Sequence, residues 1–180
     1  MKKNNNTKYA ILGLLTTECR SGYAIKQMID QSLNHFWKIS YGQIYPTLKQ
    51  LVEDGLATVQ DTSQEGKPDK KEYYLTPKGE EELEIWLQNP IEELPSVKNE
   101  MLLKLFFSRH QSNAETISRV KQYRNKLLER YNTYEAIESM ITSTSREKPD
   151  AGYWLITLDY GKRTTQAAME WCDVTIEKLK

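Results

Sequence analysis

Apolar residues in the first 55 positions recur at three- and four-residue intervals, the spacing of a helical face. Ala10, Ile11, Leu14 and Leu15 make one such stripe and predict a helix from Lys8 to about Glu18, capped by Thr7. After Ser21-Gly22, a second helix is predicted from Tyr23 to about Leu33, with Ile25, Met28 and Ile29 facing inward. A third places Ile44, Leu48 and Leu51 on one face and stops at Asp54-Gly55, where glycine suits a left-handed cap. Pro46 lacks an N–H, so this helix is expected to begin near Gly42 or Gln43, although Ser40-x-x-Gln43 offers a cap one turn earlier.

The period then changes from 3.6 to 2. Leu56-Ala57-Thr58-Val59-Gln60 and Lys71-Glu72-Tyr73-Tyr74-Leu75 read as two short strands, joined by a polar loop from Asp61 to Asp69 with Gly66 and Pro68. Thr76-Pro77 opens another helix with a cap and an N1 proline, followed by Glu80, Glu81 and Glu82 near the positive end of its dipole. Leu83, Trp86 and Leu87 are its apolar face. Three helices, a hairpin and a further helix make a winged helix-turn-helix.

Two prolines bracket the acidic stretch from Pro90 to Pro95, which reads as a boundary between residues 1–89 and 96–180. Beyond it no strand is convincing. Met101 to Phe107 is a densely apolar helix, and Ser112-Asn113-Ala114-Glu115 is a capping box opening a long helix to about Ile141. Ile117, Val120, Leu127, Tyr131, Tyr134 and Ile141 approximate a heptad seam, interrupted by Arg124 and Glu138, so a partner helix is expected. Ser143 to Asp150 reads as a polar link, and a last helix from Ala151 to Leu179 carries Trp154, Leu155, Leu158, Met169, Cys172, Ile176 and Leu179. One chain has too few other elements to cover both faces of these helices, so the surplus should bury against a second copy. The expected fold is mainly α with a small β-hairpin wing, followed by an α-helical dimerisation domain.

Charge adds a local signal to a neutral whole. Lys and Arg number 25 and so do Asp and Glu, which keeps open a rival reading in which the winged helix docks protein rather than DNA. From Met1 to Gln60, however, seven basic residues face four acidic ones, 7 − 4 = +3, the sign that phosphate binding requires. No apolar run approaches a membrane span or a signal peptide, so a cytoplasmic location is expected. Cys19 and Cys172 read as small buried hydrophobes, and His35 and His110 lack neighbours at metal-ligand spacing. Neither a nucleophile–base pair nor a phosphate-binding glycine loop is present, so no enzyme and no cofactor are expected.

The stretch from Ile39 to Lys49 carries the chemistry. With its apolar stripe turned inward, Gln43, Thr47 and Lys49 fall outside and Tyr41 and Tyr45 flank the stripe. Such side chains reach base edges in the major groove: Gln pairs well with adenine, Thr with the thymine methyl, Lys with guanine or phosphate. With Ser40, and with Tyr23 and Lys26 on the preceding helix, they form the expected DNA-contacting set. Lys67, Lys70 and Lys71 cluster at the hairpin, where a wing meets phosphate or the minor groove. Trp37, Trp86, Trp154 and Trp171, with Phe106 and Phe107, offer flat walls for an effector, though aromatics at helical spacing are more often core.

Tyr9-Ala10-Ile11-Leu12-Gly13-Leu14-Leu15, Ser21-Gly22-Tyr23-Ala24-Ile25, Gly42-Gln43-Ile44-Tyr45-Pro46-Thr47-Leu48, Gly55-Leu56 and Tyr73-Tyr74-Leu75-Thr76-Pro77-Lys78-Gly79 follow one another in an order that resembles the PadR family of transcription regulators. Glu100 to Phe107, Tyr153 to Leu158, Gly161 and Trp171 are similar to its longer-tailed subfamily. The resemblance implies a cytoplasmic homodimer on an imperfectly palindromic, double-stranded DNA operator, usually repressing. It also implies, for some members, response to a small aromatic effector such as a phenolic acid, with no effector-binding residue carried over. One departure stands out: members often have arginine at the wing, where this chain has only lysine, a poorer reader of a narrow minor groove.

Overall fold

The computed structural model describes residues 6–33, 36–62, 70–94 and 98–180. They form two compact units, Met1–Leu94 and Pro95–Lys180.

The first unit holds α1 (Asn6–Leu15), α2 (Gly22–Gln31), α3 (Tyr41–Glu53), the strands β1 (Ala57–Thr62) and β2 (Lys70–Leu75), and α4 (Pro77–Gln88). Ile11, Leu12 and Leu15 of α1, Ile25 and Ile29 of α2, and Ile44, Leu48 and Leu51 of α3 are almost fully buried in one core. Each set lies on a single helical face, so the 3.6-residue pattern alone dictates which sides meet. Thr7 is not a cap: it is buried within α1, which already runs at Asn6. The same helix stops at Leu15 rather than Glu18, because Thr16 and Thr17 turn their hydroxyls back onto the Gly13 and Leu14 carbonyls at 2.7 and 2.6 Å.

Gly55, at φ +73°, closes α3. The Leu56 N–H reaches the Leu51 carbonyl at 2.8 Å and the Gly55 N–H the Val52 carbonyl at 3.1 Å, the paired bonds of a Schellman cap. The chain then enters an antiparallel hairpin in which Ala57 pairs with Leu75 and Thr62 with Lys70. Thr76 caps α4 by accepting from the Gly79 N–H at 3.1 Å. A Cβ at Gly79 would lie 2.1 Å from the Leu56 carbonyl oxygen, so only glycine lets α4 start this close to β1. Leu83 packs on the core and Trp86 stacks on Tyr9, ring centroids 4.7 Å apart. Leu87, expected on the same face, is 66% exposed instead.

The second unit comprises α5 (Glu100–Phe106), a 3-10 turn at Ser108–His110, α6 (Asn113–Thr144) and α7 (Ala151–Leu179). The expected capping box opens α6: Ser112 accepts from the Glu115 N–H, and the Glu115 carboxylate accepts from the Ser112 N–H at 3.0 Å. α6 continues three residues past Ile141, so the polar link is shorter than the sequence suggests. Val120, Leu127, Tyr134 and Ile141 are buried at seven-residue spacing on α6, and Ala151, Leu158, Thr165 and Cys172 at the same spacing on α7. The partner of the seam is therefore this chain's own last helix. The two polar interruptions are ion-paired across it: Arg124 Nε to Asp173 at 2.6 Å, and Glu138 to Lys162 Nζ at 2.7 Å. Lys162 also meets Glu135, and these carboxylates raise its pKa. Gly161 lets the Tyr134 ring approach α7 closely: a Cβ there would sit 3.1 Å from that ring.

Among the described residues, no helix is long and apolar enough to cross a membrane, and no cluster of three metal-ligating side chains occurs. Cys19 and Cys172 are free and buried, and burial pushes the Cys172 thiol up.

Candidate nucleic-acid interface

The exposed side of α3 begins with its cap. Helix α3 starts at Tyr41, one or two residues earlier than the start near Gly42 or Gln43 that Pro46 suggests, because Ser40 and Gln43 close a capping box. The Ser40 N–H donates to Gln43 Oε1 at 3.0 Å, and the Ser40 hydroxyl donates to the same oxygen at 3.1 Å. Pro46 thus lies in the second turn and offers no N–H to the Gly42 carbonyl. The reciprocal cap supplies the start that the proline would otherwise have set.

Tyr41 is 50% exposed and Tyr45 51%, with Ser40, Gln43 and Lys49 exposed beside them and Thr47 half-buried. Lys49 pairs loosely with Glu53 at 3.5 Å. Tyr23 of α2, 66% exposed, sits at the start of the helix capped by Ser21. Lys26 is more committed than its sequence position suggests. Its ammonium is paired with Asp30 and lies 5.2 Å from the centre of the Tyr41 ring. Gly22 lies beneath Tyr45: a Cβ there would come within 2.7 Å of that ring.

At the hairpin, Lys71 is exposed on β2 opposite Asp61 of β1. Lys70 opens β2, but its side chain, all of Lys67 and His35 lie outside the described residues. The hairpin is fastened at its base by Arg20, which the sequence pattern did not single out. Its carbonyl accepts from the Tyr73 N–H at 2.7 Å, and its guanidinium lies 5.0 Å from the Tyr74 ring centre. Only its place between the first two helices hinted at that role.

The aromatic residues do separate jobs. Trp86 belongs to the first unit's packing against Tyr9, and Trp37 is about one-third exposed after α2. Phe106 and Phe107 meet edge to face and are exposed. Trp154 is half-buried on α7. Trp171 lines a cleft of about 230 Å³ within the second unit, together with Asn99, Leu102, Tyr123 and Ala168. Asn99 Nδ2 donates to the Tyr123 hydroxyl at 3.2 Å on its polar side.

A helix with one buried face and one polar, aromatic face, followed by a two-stranded hairpin, is the arrangement of a winged-helix DNA-binding transcriptional regulator. Residues 11–85 match the transcriptional regulator PadR-like family, and residues 97–180 match the family described as virulence activator alpha C-term. The chain is 37% identical over 155 residues to the negative transcriptional regulator PadR of Bacillus subtilis, covering 83% of this chain and 84% of that one. The crystal structure of Bacillus subtilis PadR with operator DNA superposes with a TM-score of 0.85 at 31% identity, over 97% of this chain and 99% of that one. The same regulator in complex with p-coumaric acid gives a TM-score of 0.81 at 28% identity, over 99% and 98%. The chain belongs to the PadR-like family of transcriptional regulators.

Proposed function

We propose that this chain is a homodimeric repressor that binds an inverted-repeat operator through α3 and the wing, and is released by a small aromatic acid. The observation that carries it is the two-sidedness of α3. Ile44, Leu48 and Leu51 are locked in the core, while Tyr41, Gln43, Tyr45 and Lys49 stand exposed beside Tyr23. That arrangement fits a helix laid in a major groove, with Ser40, Thr47 and Lys26 at its margins and Lys67, Lys70 and Lys71 on phosphate. The Bacillus subtilis relative was crystallised with operator DNA and with p-coumaric acid, which supports both ligand classes here. The cleft walled by Leu102, Ala168 and Trp171 offers a flat ligand an apolar bed with one polar edge. Function on DNA places the protein in the cytoplasm, without a catalytic role.

Salt-dependent retardation on the promoter of its own gene region tests the reading. Specific binding that weakens steeply with salt is expected, and each of Lys67→Ala, Lys70→Ala and Lys71→Ala should flatten the salt slope by about one unit on every sequence. Little binding to that DNA, with retention of a protein partner instead, would favour a protein-docking winged helix. An addition of p-coumaric acid should quench tryptophan fluorescence and release the operator together. Quenching without release would separate ligand binding from regulation.

A further inference from the structure

We infer that the α3 cap makes Gln43 a donor-only reader, selecting an acceptor-rich base edge, guanine above all, instead of the adenine that glutamine usually pairs with. This inference rests on the proposed DNA binding of α3. A glutamine recognises adenine by two opposite bonds: Nε2 donates to N7 while Oε1 accepts from the N6 amino group. Here Oε1 is already occupied. A carbonyl oxygen has two lone pairs, and the Ser40 N–H at 3.0 Å and the Ser40 hydroxyl at 3.1 Å use both. The amide cannot be turned around without facing an N–H donor with another N–H, so the oxygen is held inward. Among the described residues Nε2 has no partner, and Gln43 is exposed. What the side chain has to offer DNA is therefore two N–H groups.

Guanine presents O6 and N7, both acceptors, on its major-groove edge, whereas adenine and cytosine each present an amino donor there. Pairing with adenine would require breaking the cap that starts α3. Guanine leaves it intact. Ser40 is accordingly a positioning residue: it fixes the hydrogen-bonding polarity of a neighbour without touching the base itself.

Selection of bound sequences from a randomised DNA pool by the full-length protein, compared with Gln43→Glu and Ser40→Ala, tests this. Glutamate keeps the cap, since a carboxylate also accepts from the Ser40 N–H, but it has no donor to give. The wild type should enrich guanine at one position of each half-site, and 7-deazaguanine there should weaken binding about tenfold, within the range of a base contact. Gln43→Glu should lose that preference and turn toward cytosine. Ser40→Ala frees one lone pair and should admit adenine at the same position. Adenine enriched by the wild type at the position that Gln43→Glu alters, or no position altered at all, overturns the inference while DNA binding stands. A pool from which nothing is enriched overturns both.

Discussion

The Tyr45 ring rests against Gly22, so that a Cβ on the glycine would lie 2.7 Å from ring carbon Cε1 and 2.8 Å from Cζ. This contact ties the exposed side of α3 to the first turn of α2. Both atoms belong to the far end of a half-exposed side chain, so Gly22→Ala is accommodated by moving Tyr45 rather than the backbone. The variant should melt within a few degrees of the wild type yet bind operator about 1–3 kcal/mol more weakly, the range of a specific contact. Unchanged operator affinity would show that Tyr45's position does not matter to DNA.

Lys26 is held by Asp30 one helical turn away, and Asp30 is itself about half exposed. The carboxylate cancels the lysine's charge next to the proposed phosphate track. Asp30→Asn should strengthen binding to operator and random DNA alike and steepen the salt slope by about one unit. The pair spans one helical turn with its carboxylate half in solvent and contributes about 0.3–0.5 kcal/mol to folding, so thermal stability should hardly change. A slope identical to the wild type would remove Lys26 from the interface.

The helical faces of the first unit were legible because each is decided by burial in one core: Ile11, Ile25, Ile44 and Leu48 could point nowhere else. The start of α3 was less so, because Pro46 argued for one register and Ser40-Gln43 for another. Only the observed bonds from Ser40 to Gln43 Oε1 decide it. The same limit applied to Lys26, whose attachment to Asp30 and Tyr41 depends on rotamers that spacing does not specify. Along α6 the seam was visible from its seven-residue repeat, but periodicity does not say whose helix fills it. Arg124 and Glu138 looked like breaks in that seam, and their partners Asp173 and Lys162 lie 49 and 24 residues away.

Glu82 joins α4 to α1, accepting from Lys8 Nζ at 2.7 Å and from the Tyr9 hydroxyl at 3.2 Å. The Lys8 hydrogen bond is the largest influence holding its pKa below the usual carboxylate value. A carboxylate with a depressed folded-state pKa stabilises fully above its unfolded pKa and loses that contribution as pH falls through the folded value. Because the pair is partly solvated, its worth is about 0.5 kcal/mol. Glu82→Gln should therefore be slightly less stable than the wild type at pH 7, and the gap should close as pH drops below about 4. Urea unfolding at several pH values reads this directly, and a gap that persists at pH 3 would point to packing instead of charge.

The second unit leaves a face that its own helices do not use. Tyr153, Ile156 and Tyr160 fall on one side of α7 and are 74%, 69% and 72% exposed, while Leu102, Leu103 and Phe106 of α5, and Phe107 just after it, are exposed as well. The α6–α7 seam is already filled within the chain, so a second copy is the partner that these residues call for. An inverted-repeat operator read from one side of the duplex requires two α3 helices about 34 Å apart, the spacing of successive major grooves, and so two copies of the chain. Ile156→Glu should produce monomers by sedimentation with unchanged helical circular dichroism, since the side chain has little packing inside its own chain to lose. Operator affinity should fall steeply, because each half-site is then held alone. Truncation after Asn89 should likewise give a monomer that keeps its helical signal, its core being built from residues between Ile11 and Tyr73. If that fragment still dimerises and binds operator normally, the interface lies in the first unit, and the role assigned to residues 96–180 fails.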